Sequence, residues 1–168
     1  DNLILIPCSF YKPYDPPRDE FYRRIAELRR RARSSKFIAV SVPLALEPEE
    51  YWSFRWRGYN LVYDCPFFPW VERFGYRWDE GVVERVYSRL KKAVDGFFRR
   101  NKKLFSRAIL LMSPDYLEYR LVREYVDFAV PSRLPKLEFS YTDNTSQLYC
   151  HPLVWREFKF LLEALGII

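Results

Sequence analysis

The sequence predicts an α/β protein of three layers, in which a mainly parallel sheet carries helices on both faces. Short continuous apolar runs, such as Leu3 to Ile6 and Phe37 to Val42, are typical of strands buried on both faces. Longer segments between the runs place apolar residues at helical spacing. The two kinds of segment alternate along the chain, which favours parallel strands joined by right-handed crossovers.

The first half of the chain is predicted to hold three strands and one helix. Leu3 to Ile6 forms the first strand, which ends at Pro7. Asp19 is a suitable N-cap for a helix, and the apolar positions of that helix are Phe21, Ile25, Leu28 and Ala32. Phe37 to Val42 is the second strand. Residues 43–78 show no long periodicity, so we expect an ordered connection there, with a third strand at Leu61 to Tyr63.

The second half is predicted to contain three helices and two strands. Asp79 can cap a long helix, whose apolar stripe consists of Val82, Val83, Val86, Leu90, Val94 and Phe97. Ala108 to Met112 is the next strand, and Pro114 can open a helix through Leu117, Leu121 and Tyr125. Leu137 to Tyr141 is a further candidate strand. The last helix starts near Pro152 and stops at Gly166, and its apolar positions are Leu153, Phe158, Leu161, Leu162 and Leu165.

Length and composition favour a single domain spanning residues 1–168. The chain is 49% hydrophobic and 19% aromatic, which excludes a disordered protein and indicates a packed interior. No apolar run approaches the roughly 18 residues that a membrane helix needs. Nothing at the N-terminus resembles a signal peptide. We therefore expect no membrane partner and a cytoplasmic location.

Cysteine and histidine are too few to build the common metal or hydrolase sites. The three cysteines, Cys8, Cys65 and Cys150, are odd in number and far apart, so neither a disulfide framework nor a CxxC metal site is available. His151 is the only histidine, which leaves little material for a zinc site or a Ser-His-Asp triad. We expect no metal and no cofactor.

Basic residues outnumber acidic ones. The formal charge of +6 and the pI of about 9.2 favour polyanions, above all nucleic acid. A heat-adapted surface explains the same charge equally well. Short basic clusters end two predicted helices, where the helix dipole also attracts cations. The candidate nucleic-acid contacts in them are Arg30, Arg31, Arg99, Arg100, Lys102 and Lys103.

The loop after the first strand, Pro7 to Tyr14, concentrates reactive groups. It holds a thiol, a hydroxyl, an ammonium and two phenols between residues 7 and 14. Pro7 and Pro13 restrict the backbone on either side, and the loop leads into a helix N-terminus that favours anions. With Lys12 nearby, the thiolate of Cys8 is favoured. In the alternative interpretation Cys8 is a small buried hydrophobe and Lys12 a surface charge.

Further candidates follow other predicted strands, because ligands of open α/β sheets bind at the carboxyl ends of the strands. Asp64 is either a pocket carboxylate or a turn cap. The polar cluster Thr142 to Ser146, with Thr142, Asn144 and Ser146 as candidate substrate contacts, either binds a phosphate or sugar or forms a turn. The loops that gather at this edge begin at Cys8, Pro43, Asp64, Ser113 and Thr142.

The loop resembles the Pro-Cys-three-residues-Lys-Pro-Tyr signature of the core domain of archaeosine synthase and related archaeal tRNA-guanine transglycosylase-like proteins. Three later segments are similar to the family's next elements in the same order, so the resemblance covers roughly the first 125 residues. They are Ser41 to Glu50, Tyr63 to Pro66, and Trp78 to Glu80 followed by Val83 to Val86.

The resemblance implies an archaeal α/β domain that acts in tRNA modification. In archaeosine formation a nitrile on a 7-deazaguanine base in tRNA is converted to an amidine, a transferase-type reaction. By resemblance, Cys8, Lys12 and Tyr14 are candidate active-site residues, and we add Asp64 to the pocket. Candidate substrate contacts at the same loops are Pro7, Ser9, Ser41 and Pro43.

The chain departs from the family in two respects. Pro17 and Glu20 stand where the family signature has a serine and a histidine. The 168 residues match the core alone, so we expect tRNA to be held by this domain or with a protein partner that supplies an RNA-binding domain. Two alternatives therefore remain open. One is a non-catalytic RNA-binding or accessory module, and the other is a glycosylase-like enzyme that acts on a nucleobase.

Overall fold

The computed structural model describes residues 1–8, 19–42, 44–53, 55–60, 75, 77, 79–135 and 144–168. The strands in these ranges are β1 (Asn2–Pro7), β2 (Ser35–Ser41), β3 (Ala45–Pro48), β4 (Arg55–Trp56), β5 (Tyr59–Asn60), β6 (Arg107–Leu111) and β7 (Phe128–Val130). The helices are α1 (Glu20–Arg31), α2 (Glu80–Asn101), α3 (Leu117–Val122), α4 (Asn144–Tyr149) and α5 (Pro152–Ala164).

The middle layer is a five-stranded sheet in the order β3-β2-β1-β6-β7. The central strand β1 is parallel to both β2 and β6, and β7 is parallel to β6. β3 pairs antiparallel with β2 and closes one edge. β4 and β5 form a separate two-stranded hairpin. The predicted mainly parallel sheet is therefore confirmed.

Alternate residues of β1 face two different helical layers, because successive side chains of a strand point to opposite faces. Ile4 and Ile6 share a buried cluster with α1 and α5. Leu3 and Leu5 share the other cluster with α2 and α3. The continuous apolar run of β1 is thus explained by burial on both faces, and the three-layer prediction is confirmed.

The predicted helix caps form as expected. The side chain of Asp19 accepts a hydrogen bond from Tyr22 N at 3.2 Å, and Asp79 accepts one from Val82 N at 3.1 Å. Gly166 has φ 67°, a left-handed conformation that ends α5 at little steric cost. These caps set where α1, α2 and α5 begin or end.

Several sequence predictions need correction. The edge strands β3 and β7 were not predicted, because each is too short to show a clear period. Pro114 lies in a turn, and α3 begins only at Leu117. Leu153 was predicted to be one of the apolar positions of the last helix, but it is 53% exposed because it lies on the outer side of α5. The predicted strands at Leu61 to Tyr63 and Leu137 to Tyr141 lie outside the described residues.

Across the part of the chain that the structure describes, no helix is both long enough and apolar enough to span a lipid bilayer.

Two phenylalanines of α5 provide a direct test of this packing. Phe158 is fully buried, whereas Phe160 on the same helix is 69% exposed. We expect Phe158→Ala to lower the free energy of unfolding by about 3–5 kcal/mol, since it opens a cavity in the core. Phe160→Ala should change it by less than about 0.5 kcal/mol. Urea unfolding measures both, and equal effects of the two substitutions would contradict the assigned orientation of α5.

Candidate functional site

The helix that follows β1 and the helix that precedes β6 pack on opposite faces of the sheet. α1 follows β1 and packs on the face of Ile4 and Ile6, whereas α2 precedes β6 and packs on the other face. Because β2 and β6 flank β1 on its two sides, the point between β1 and β6 is where the direction of winding reverses. Open α/β sheets bind their ligands in the crevice at this point, beyond the carboxyl ends of the strands.

Three small polar side chains form a row across this edge. Pro7 pairs with Val40 and Leu5 pairs with Leu110, so continuing the register places Cys8 between Ser41 and Ser113. The N–H of Cys8 donates to the Val40 carbonyl at 3.2 Å, which continues the ladder. Neighbouring strands are about 4.8 Å apart, so the three side chains are adjacent. By strand alternation all three belong to the face covered by α1 and α5.

The two serines are buried and the cysteine is half-buried. Ser41 is 0% and Ser113 2% exposed, while Cys8 packs against the edge of the cluster formed by α1, α5 and the sheet. Cys8 carries a thiol and not a disulfide. The Cys8 thiol is therefore partly accessible to solvent, whereas Ser41 and Ser113 on either side of it are buried.

Two tyrosine hydroxyls fix the ends of the strands that flank the crevice. The hydroxyl of Tyr22, from α1, donates to the Pro7 carbonyl at 3.0 Å. The hydroxyl of Tyr149, from α4, accepts from the N–H of Ser113 at 2.9 Å. Both hydrogen bonds are buried, and breaking a bond of this kind leaves a buried polar group unsatisfied. The positions of Cys8 and Ser113 are therefore fixed by side chains from helices distant in sequence.

The surroundings of Tyr149 define a rim cluster, which consists of Cys8, Ser113, Tyr116, Glu118 and Tyr149. Burial raises the pKa of Tyr149 well above its usual value, and the neighbouring Tyr116, Glu118 and Cys8 also raise it, while the N–H of Ser113 acts in the opposite direction. Tyr149 therefore stays protonated at neutral pH. Its oxygen already accepts from Ser113, so its O–H proton is the part left to donate.

Glu118 contributes a buried carboxylate to the rim cluster. It lies in the first turn of α3 and is 7% exposed. The turn before it is fixed by the hydroxyl of Ser113, which accepts from the N–H of Asp115 at 3.2 Å. Tyr116 lies between Asp115 and Glu118 in the chain, and it packs against both buried clusters. The segment after β6 thus brings a hydroxyl, a phenol and an acid into the surroundings of Tyr149.

The second described thiol, Cys150, is unsuited to nucleophilic chemistry. Burial raises the pKa of Cys150 to about 11, although the nearby Arg24 guanidinium acts in the opposite direction. Because the thiolate is the reactive form of cysteine, this raised pKa leaves Cys150 a smaller thiolate fraction at neutral pH than an ordinary cysteine has. Among the described thiols, Cys8 is the candidate nucleophile.

Only some of the sequence-predicted site residues fall within the described ranges. Pro7, Cys8 and Ser41 lie together at the carboxyl edge, as predicted. Asn144 and Ser146 fall in α4. Candidates that lie outside the described residues are Ser9, Lys12, Tyr14, Pro43, Asp64 and Thr142.

The predicted nucleic-acid contacts lie at the opposite edge of the sheet. They are all exposed residues at the ends of α1 and α2 or in the turn after α2, namely Arg30, Arg31, Arg99, Arg100, Lys102 and Lys103. Both helices run back from the carboxyl edge to the amino edge. β1 spans six residues, which is about 20 Å at roughly 3.3 Å per residue. The structure therefore does not bring these cations close to Cys8.

Sequence reasoning identified the loop at Ser113 but missed Tyr116, Glu118 and Tyr149 as site residues. Tyr149 is far along the chain from Cys8, and no local pattern connects them. The signal in the sequence was the polar residue directly after a buried strand, Ser113, followed by a tyrosine and an acid within five residues.

Within the described residues no three His, Cys, Asp or Glu side chains are grouped as metal ligands.

Comparisons with protein-family models, with curated proteins and with solved structures find no match to this chain.

The reactivity of Cys150 can be tested in a Cys8→Ser/Cys65→Ser background, where it is the only thiol. We expect the rate of alkylation by iodoacetamide to rise about tenfold per pH unit without levelling off up to pH 10, since burial disfavours the thiolate. In urea the rate should level off near the ordinary cysteine pKa of about 8.5. A folded protein whose rate levels off below pH 9 would contradict the burial of this thiol.

Proposed function

We propose that this protein modifies a 7-deazaguanine base in tRNA, with Cys8 as the nucleophile that converts a nitrile to an amidine. The observation that carries the proposal is the position of the Cys8 thiol. It stands at the reversal point of an open α/β sheet, between the two buried serines Ser41 and Ser113, and the N–H of Ser113 is held by the hydroxyl of Tyr149. The identity of the substrate rests on the resemblance of the Pro7 to Tyr14 loop to the archaeosine synthase core.

In the proposed reaction the Cys8 sulfur attacks the nitrile carbon. A sulfur–carbon bond forms, one π bond of the nitrile breaks, and its nitrogen takes up a proton, which gives a thioimidate. A primary amine then adds to the same carbon, the sulfur leaves as a thiol, and the amidine is released. The step requires an activated nucleophile and donors toward the developing imine nitrogen.

Residues of the rim cluster suit these roles. The O–H groups of Ser113 and Tyr149 are donors on the same side of the crevice as the thiol, and Tyr149 remains protonated at neutral pH. Glu118 is a buried acid whose charge acts on Tyr149, and we assign to it the removal of a proton from the attacking amine. By resemblance, Lys12 and Tyr14 are candidate active-site residues beside Cys8. Lys12, four residues after Cys8 in the same loop, would favour the Cys8 thiolate, and Asp64, which follows a predicted strand, would contact the base.

A non-catalytic RNA-binding module is the second candidate, and one contact favours it. At the family's histidine position Glu20 opens α1, where its carboxylate is paired with Arg24 at 2.6 Å. A carboxylate committed to an arginine is a poor replacement for a histidine that exchanges protons. In this case the rim would hold the base without transforming it.

Both candidates act on tRNA, so we also propose a cytoplasmic location, where cysteine thiols remain reduced. A protein partner that carries a dedicated RNA-binding domain is part of the same proposal, since the resemblance covers the core alone.

The enzymatic proposal is tested by turnover of a nitrile-bearing 7-deazaguanine nucleoside or tRNA with a primary amine, followed by mass spectrometry. Cys8→Ala should lower the rate by at least about 1000-fold, as removal of a catalytic nucleophile does. The matched control Cys150→Ala should keep the wild-type rate, because the Cys150 thiol is protonated and takes no part.

Unchanged turnover in Cys8→Ala would exclude the nucleophilic role. A wild-type protein that binds the modified tRNA but converts neither substrate, with ammonia and with larger primary amines, would favour the non-catalytic candidate.

A further inference from the structure

A groove runs along the outer side of α5, away from the rim cluster. The side chains that line it from α5 recur at intervals of one, three or four residues and so occupy one stripe of the helix. Arg24 of α1 forms the opposite wall. This α1/α5 groove has a volume of about 420 Å³ and is lined by Arg24, Pro152, Trp155, Arg156, Lys159, Phe160 and Glu163.

One wall of the groove is held rigidly before any ligand arrives. The Arg24 guanidinium lies over the Trp155 ring, 5.6 Å from its centroid. It also donates to the Cys150 carbonyl at 3.1 Å and pairs with Glu20 at 2.6 Å. The Trp155 ring in turn packs edge-on against the buried ring of Phe158, with 5.9 Å between the ring centroids. A wall that is already ordered reduces the entropy lost when a ligand binds.

Phe160 supplies an exposed aromatic surface beside this wall. Its side chain is 69% exposed, and the neighbouring cations Arg156 and Lys159 form no ion pair with any residue of the described part of the chain. A ring flanked by cations is the usual arrangement for binding single-stranded nucleic acid, in which bases stack and cations follow the backbone.

The charge of the groove selects an anionic occupant. Arg156 and Lys159 line it with a single acid, Glu163, while the third lining cation, Arg24, is already paired with Glu20. An acidic peptide would satisfy the cations but would make little use of a flat, exposed ring. Nucleic acid uses both, because every base has a face that stacks and every nucleotide carries a phosphate.

The groove begins at the edge of the sheet that carries Cys8. Arg24 holds the carbonyl of Cys150, the residue after Tyr149, and the Tyr149 hydroxyl contacts Ser113 in the rim cluster. From there α5 runs to the amino edge, where Arg107 donates to the Leu165 carbonyl. A strand lying in the groove would therefore have one end next to the crevice.

We propose that the α1/α5 groove binds a single-stranded segment of RNA, with one base stacked on Phe160 and phosphates at Arg156 and Lys159, and leads it to Cys8. The choice of RNA rests on the proposed function. In this proposal RNA binds to a surface that is different from the basic helix ends at the amino edge.

The proposal is tested by fluorescence anisotropy of a labelled single-stranded RNA octamer with the whole chain at several salt concentrations. Phe160→Ala should weaken binding about tenfold, since stacking on one ring is lost. Arg156→Glu/Lys159→Glu should weaken it further and lower the salt slope by about 1.4, the value for two lost contacts on a single strand.

Matched controls separate the groove from general charge and hydrophobicity. Arg89→Glu/Lys92→Glu makes the same charge change at the same spacing on exposed α2, and Leu153→Ala removes an exposed apolar side chain outside the groove. Both controls should bind RNA as tightly as the wild type. Circular dichroism of each variant verifies that it is folded.

Several results would overturn the proposal. The wild type could fail to bind the octamer, or the groove variants could retain full affinity while Arg99→Glu/Arg100→Glu loses it. Loss of polyglutamate binding, and not of RNA binding, in the groove variants would assign the groove to an acidic peptide. Turnover of the free nucleoside by the wild type requires no RNA contact. Conversion of neither the nucleoside nor the tRNA would reject the enzymatic proposal, while the groove result stands on its own.

Discussion

Two buried hydrogen bonds made by tyrosine hydroxyls determine the geometry of the candidate site. Tyr22 holds the carbonyl of Pro7, and Tyr149 holds the N–H of Ser113. These main-chain groups lie at or just beyond the carboxyl ends of β1 and β6, and the helices that come next, α1 and α3, pack on opposite faces of the sheet. A strand end beyond its ladder is otherwise free to fray. Because both ends are fixed to helices packed in the core, the Cys8 thiol and the Ser113 hydroxyl are held side by side.

The two edges of the sheet differ in chemistry. The carboxyl edge combines a half-buried thiol with buried hydroxyls and a buried carboxylate, an arrangement suited to covalent chemistry on a small group. The amino edge carries exposed arginines and lysines at helix C-termini, where the helix dipole favours cations. The α1/α5 groove connects the two edges along α5. A polyanion bound there would reach the thiol without crossing the sheet.

Much of the fold followed from local patterns, whereas most of the site did not. β1, α1, α2 and α5 have strong periodicity or clear caps, so their existence could be predicted from Leu3 to Ile6, Asp19, Asp79 and Gly166. The edge strands β3 and β7 are only four and three residues long, too short for a period to show. The rim cluster depends on Tyr149 reaching Ser113 from 36 residues away, and only tertiary packing sets such a contact.

The nucleophilic role proposed for Cys8 requires a covalent bond between its sulfur and the nitrile carbon of a 7-deazaguanine base. It is tested most directly by incubating the protein with the nitrile-bearing nucleoside in the absence of any amine and recording intact and peptide masses. We expect an adduct with the full mass of the nucleoside, located on the peptide that contains Cys8. No adduct, or an adduct on Cys65 or Cys150 alone, would contradict it.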